Sequence, residues 1–102
     1  MRKISILFFI VVLVSSNAVY AGDPAAGAQK SATCTACHGA DGNSTNPLWP
    51  KLAGQHAAYL EKQMKDFRDG RRQDPVMTSM ATALSDTDIA DLAAYYAGLQ
   101  QK

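Results

Sequence analysis

Two cysteines and a histidine stand within five residues, Cys34-Thr35-Ala36-Cys37-His38, and the chain contains no other cysteine. Three positions apart on a helical turn, both thiols face one side. His38 follows directly and can point a ring nitrogen at a metal. C-x-x-C-H at this spacing reads as the attachment pattern of a c-type haem, each thiol adding to one vinyl group while the imidazole binds the iron. Two other readings use the same residues. A thioredoxin-like redox pair needs strands around it, and no run of alternating β-branched residues is visible. Half of a zinc site would have to recruit His56, since no second Cys pair exists.

Iron held by one histidine needs a sixth ligand or keeps an open position. Downstream candidates are His56, Met64, Met77 and Met80. Met64 falls on an apolar helical stripe, where a methionine is ordinarily core, and His56 reads as a surface residue at a helix start. Met77 and Met80 lie in a stretch before the last helix that can bring a thioether to the opposite face. Propensity alone does not choose between them.

Three helices have to position these groups, with no internal repeat and no second domain. The first starts at Asp23, its carboxylate capping and Pro24 at the first helical position, and runs to about Thr35. Gly27 inside it costs stability relative to alanine. A loop from Gly39 to about Gly54 follows, rich in Gly, Asn, Ser and Pro and long enough to wrap something. Leu48, Trp49 and Leu52 are the residues by which it could pack down. The second helix runs from about Gln55 to Asp69, with Tyr59, Leu60, Met64 and Phe67 on one stripe and Gly70 as its stop. Arg71 to Leu84 reads as irregular. Ser85 caps the third helix, Asp88 three residues on makes a near capping box, and Ile89, Leu92, Ala93 and Tyr96 form its buried face.

Residues 1–21 have another task. Arg2 and Lys3 precede an apolar run from Ile4 to Val14, and Val19-Tyr20-Ala21 offers small residues at the cleavage positions. That is a secretory signal peptide cut after Ala21, which implies a periplasmic location. The run is short of the ~20 apolar residues a spanning helix needs. Residues 22–102 then form one domain. Ten Lys and Arg face nine Asp and Glu in the whole chain. Losing Arg2 and Lys3 leaves eight against nine, so no strong field of either sign survives and nucleic acid is not an expected partner. A domain of this size buries only about 60% of its unfolded surface. Two cysteines rule out a disulfide framework, so something else must complete the core.

The stretches Cys34-Thr-Ala-Cys-His-Gly-Ala-Asp-Gly-Asn43, Pro50-Lys-Leu-Ala-Gly-Gln55, Tyr59-Leu60, Met77-Thr-Ser-Met80 and Leu84-Ser-Asp-Thr-Asp-Ile-Ala-Asp-Leu-Ala-Ala-Tyr-Tyr96 resemble a class I c-type cytochrome. More narrowly, they resemble one domain of the two-haem cytochrome c4 group and its single-haem relatives. The resemblance covers nearly all of residues 22–102. It implies an all-α class I cytochrome c fold around one covalent haem c, held by Cys34 and Cys37. It further implies Met77 as the second axial ligand opposite His38, with Met80 the runner-up. Pro50 is implied to offer its carbonyl to the far ring nitrogen of His38, and Gly27 to let the first helix cross the last near Leu92 and Tyr95. Trp49 stands where relatives carry an aromatic. The pattern departs in one respect: no second attachment motif follows, so pairing two haems would require a homodimer. His/Met ligation leaves no open iron position and suits electron transfer rather than catalysis, between redox protein partners. The alternatives are an electron-transfer subunit of a larger dehydrogenase or oxidase, and a ligand-binding haem sensor or enzyme.

Overall fold

Asp23-Pro24 and Asp74-Pro75 each open a helix in the same way. The carboxylate accepts backbone N–H groups of the first turn, and the proline ring occupies the first helical position, where no N–H is needed. The structure, a computed structural model, describes residues 1–13 and 22–102. Its helices are α1 (Pro24–Lys30), α2 (Ala32–His38), α3 (Ala57–Asp69), α4 (Pro75–Thr82) and α5 (Asp86–Ala97), and no strand occurs among the described residues.

Two differences from the sequence reading have local causes. The single first helix is two, because the Ser31 hydroxyl donates to the Ala28 carbonyl at 2.8 Å and competes with the backbone ladder. The second piece runs on to His38, so the whole C-x-x-C-H segment is helical. The stretch taken as irregular contains α4. Asp74 Oδ1 accepts from the Val76 and Met77 N–H groups, both at 2.9 Å, and this cap starts two turns of helix.

α3 begins at Ala57 and stops at Gly70, whose φ of 84° is a left-handed conformation that a side chain would strain. The Ser85–Asp88 capping box at the start of α5 is present in both directions.

α5 is the spine of the molecule. α1 lies across it, and α3 packs on both α5 and α4. Ile89, Leu92, Ala93 and Tyr96 are all buried on the face that the sequence pattern marked. Leu60 from α3 joins Leu92, Ala93 and Tyr96 in the central cluster. Phe67, Ala81 and Ala53 are buried as well. The α1–α5 crossing is so close that a Cβ at Gly27 would sit 2.0 Å from the Asp91 carbonyl oxygen and 2.7 Å from Tyr95 Cβ. Gly22, just before α1, is tighter still, with 1.9 Å to the Ala90 carbonyl oxygen. Asp91 ties the crossing together. One carboxylate oxygen accepts the Asp23 N–H at 2.8 Å, and the other accepts Lys30 Nζ at 2.7 Å. Lys30 also reaches Asp88, at 2.9 Å.

The loop between α2 and α3 is pinned to this spine by its backbone. Leu52 and Ala53 N–H groups both donate to the Gly42 carbonyl, and the Gly54 N–H donates to the Tyr96 carbonyl at 3.0 Å. Leu52 packs against the core, but Leu48 does not pack down and is 83% exposed. Asn46 Oδ1 accepts the Leu48 N–H in a local turn, which carries that side chain outward. Residues 1–13 have no regular structure and expose all their apolar side chains. The cleavage positions Val19, Tyr20 and Ala21 lie outside the described residues.

Candidate haem site

α2 carries Cys34 and Cys37 one helical turn apart, both free thiols and both half-buried. His38 ends the helix and is 6% exposed. Its Nδ1 lies 2.8 Å from the Pro50 carbonyl oxygen, across the loop. Proline fixes the local backbone, and its carbonyl can only accept, so the bond sets Nδ1 as the protonated nitrogen and leaves Nε2 with a free lone pair. A histidine prepared in this way is oriented and more basic as a metal ligand.

The other candidates divide by position. Met77 and Met80 stand one turn apart on α4 rather than on a loop, Met77 half-buried and Met80 more open. Met64 packs against the central cluster from α3, as a core methionine does. His56 is exposed at the N-terminus of α3 and makes no side-chain cap. No group of three or more His, Cys, Asp or Glu side chains able to hold a metal ion occurs among the described residues.

The rim of the central cluster, to which Cys34 belongs, suits a large flat apolar group. The central cluster is small, and Cys34, Leu52, Ala57, Met64, Leu84, Tyr95 and Leu99 pack on it while only partly covered themselves. Trp49, Tyr59, Val76 and Met80 present further apolar surface to water. Apolar area left open in this amount is a stability deficit that a buried porphyrin would remove. Tyr96 is buried in the cluster, its phenol beside the Cys34 and Ser31 side chains. Its hydroxyl is the one buried side-chain polar atom without a hydrogen-bond partner among the described residues. Burial pushes its phenol far above the ordinary range, with the neighbouring Cys34 sulfur adding to the effect.

Two residues that hold the fold together carry no signal of it in the sequence. Asp91 is the junction of α1 and α5, yet on the sequence it is one aspartate among three on that helix. Asn43, in the loop, is 8% exposed and fully hydrogen-bonded. Neither leaves a periodicity signal. The start of α4 carries a local sign of another kind, the Asp-Pro pair that also opens α1.

An all-α domain with a C-x-x-C-H helix, a histidine oriented by a backbone carbonyl and an uncovered apolar face has the build of a c-type haem protein. Comparison with known proteins agrees. The cytochrome c family model matches residues 24–100. Cytochrome c4 of Pseudomonas aeruginosa is 52% identical over 97 residues, covering 95% of this chain and 48% of that protein. Cytochrome c-554(548) of Halomonas halodenitrificans is 56% identical over 79 residues, covering 74% of this chain and 95% of that one. Among solved structures, reduced cytochrome c4 from Pseudomonas stutzeri superposes with a TM-score of 0.77 at 45% identity, covering 80% of this chain and 48% of that chain. The chain thus spans about half the length of the cytochromes c4 it matches.

The chain belongs to the cytochrome c family and is a class I c-type cytochrome. Its cofactor is covalent haem c, which supplies an iron that gains and loses one electron.

Proposed function

We propose that this protein is an exported electron carrier, with Cys34 and Cys37 holding the haem through thioethers and His38 and Met77 as its axial ligands. It passes single electrons between redox proteins and transforms no substrate of its own. The observation that carries the reading is the His38–Pro50 hydrogen bond, placed beside two free thiols one turn apart. Such a bond presents a neutral imidazole, held in one orientation, in both oxidation states of a metal. Met77 on α4 is the second ligand because it is more sheltered than Met80 and follows directly on the Asp74 cap that fixes the helix start. A thioether favours ferrous over ferric iron, and apolar surroundings act in the same direction.

Export and maturation follow from the first residues. Ile4 to Leu13 expose their apolar side chains, which a protein in water does not retain. No helix among the described residues is long and apolar enough to cross a membrane. The packing of Gly22 against α5 supports a folded domain that starts there. We therefore place the mature chain at residues 22–102, in the periplasm, as a monomer or small homodimer. Partners dock weakly through a small interface that releases quickly, and the near-neutral charge implies little salt dependence.

The test is an intact mass combined with a pyridine haemochrome spectrum of the exported product. The expected result is one haem per chain, joined by two thioethers, on a polypeptide beginning at Gly22. A colourless product with the mass of the bare chain refutes the proposal. A near-infrared thioether–iron band in the ferric protein identifies the sixth ligand as methionine, and binding of carbon monoxide by the ferrous form would point to a sensor or enzyme instead. Elution alone or as a small dimer from native extract separates a free carrier from an enzyme subunit.

A further inference from the structure

The Asn43 amide is buried where three segments meet: the turn 41–43, the strand of loop after Pro50, and residues 99–102 beyond α5. Its Nδ2 donates to the Gln100 carbonyl at 3.0 Å and to the Asp41 carbonyl at 3.3 Å, while Oδ1 accepts the Lys102 N–H at 2.8 Å. Every polar atom of the side chain is used, and two of its partners lie more than fifty residues away. The same turn is gripped from outside. The Asn43 N–H donates to Asp41 Oδ1 at 3.0 Å, and Lys102 Nζ pairs with Asp41 Oδ2 at 3.0 Å. Lys51 Nζ donates to the Lys102 carbonyl at 2.5 Å.

The turn so fixed bears on Pro50. Its middle carbonyl, at Gly42, accepts from Leu52 N–H at 2.8 Å and Ala53 N–H at 3.0 Å, two and three residues beyond the proline. Gly42 is also closed in by Tyr96 and Ala53, so the turn cannot slide. Pro50 itself has no N–H, and its side chain is exposed. The position of its carbonyl therefore depends on what holds the residues either side of it.

We infer that Asn43 is a positioning residue for the haem site: by locking the segment after α5 onto the 41–43 turn, it holds the Pro50 carbonyl at hydrogen-bonding distance from His38 Nδ1 and thereby tunes the axial imidazole. The inference rests on the proposed haem ligation by His38. Asn43 makes no hydrogen bond to His38, Met77 or the thiols and acts through Gly42, Leu52 and Pro50.

The test uses the haem-loaded exported chain and three variants. Asn43→Ala removes all three bonds, and Asn43→Asp keeps the oxygen facing Lys102 but gives up both donors. Asp91→Asn weakens the α1–α5 crossing and leaves the loop alone, which makes it the control for general loss of stability. The readouts are the midpoint potential and the solvent exchange rate of the His38 Nδ1–H proton by NMR. In N43A, exchange should be about tenfold faster, the effect of losing roughly one hydrogen bond of local stability. The potential should move positive, because a weaker bond at Nδ1 makes the ligand less basic and stabilises ferric iron less. N43D should move the same way by less, and D91N should leave both readouts unchanged while lowering the melting temperature. An N43A protein with unchanged exchange and potential overturns the inference, as does a shift to negative potential, which is the effect of water reaching the haem. A wild-type chain without haem refutes the underlying ligation instead, and the haemochrome spectrum distinguishes that case.

Discussion

The α1–α5 crossing and the partly covered residues around the central cluster are built on opposite plans. At the crossing, two glycines let backbones approach closer than any side chain would permit, and a carboxylate satisfies one backbone N–H and one ammonium at once. Nothing there is left open. Around the central cluster, Cys34, Leu52, Ala57, Met64, Leu84 and Leu99 are only partly covered, and the Tyr96 hydroxyl has no partner among the described residues. One region is finished by the polypeptide, and the other keeps partly covered apolar side chains that would suit a haem. A domain this small cannot afford a large all-protein core, so it concentrates close packing where no ligand goes.

The largest effect expected from breaking this contrast comes from loss of the haem. Replacing both Cys34 and Cys37 by alanine should abolish covalent haem, leaving no haem in the polypeptide after acid–acetone extraction, and the mature chain should lose its cooperative melting transition. Met77→Ala should remove the near-infrared band and let ferrous iron bind carbon monoxide, whereas Met80→Ala should retain the band. Equal spectra for the two variants would dissolve the distinction between them.

At the crossing, Gly27→Ala forces a methyl group into the Asp91 carbonyl and should cost about 3 kcal/mol in denaturant titration, the upper range for overpacking. Gly70→Ala is the matched contrast. A Cβ there meets nothing within 4 Å, and only the left-handed backbone opposes it, at about 1 kcal/mol. If the two cost the same, close approach is not what distinguishes the crossing.

The smallest effect is on acid stability. Asp88 is held down to about 2, first by the Ser85 N–H and then by Lys30, and Asp41 to about 2, first by the Asn43 N–H. Asp91 is lowered by Lys30 and the Asp23 N–H, and Asp66 by Lys62 and Arg71. Each carboxylate binds its proton less readily folded than unfolded, so the unfolded chain takes up protons first as pH falls below the ordinary value of 3.8. Stability should therefore be fully present above that value and drain away toward pH about 2. Asp88→Asn should flatten this slope in melts recorded across the window.

How much of this was readable beforehand depended on whether a feature was local. C-x-x-C-H, the Asp23 and Ser85 caps and the α5 stripe lie within a few residues, and their meaning does not depend on what packs against them. α4 was equally local and was still missed. Its Asp74-Pro75 opening repeats that of α1, but eight residues make too short a period to stand out from the polar stretch around it. The break at Ser31 turned on one hydroxyl choosing a backbone partner, which composition does not announce.

The linear order of residues determined that this chain has a helical scaffold and a two-sulfur, one-imidazole cluster, because turn spacing and capping act over four residues or fewer. Only the folded molecule decided that Asp91 would hold α1 to α5, that Gly22 would matter as much as Gly27, and that Asn43 would bind residues more than fifty positions away. Those contacts depend on which surfaces meet once the helices cross. Separation along the chain carries no record of that.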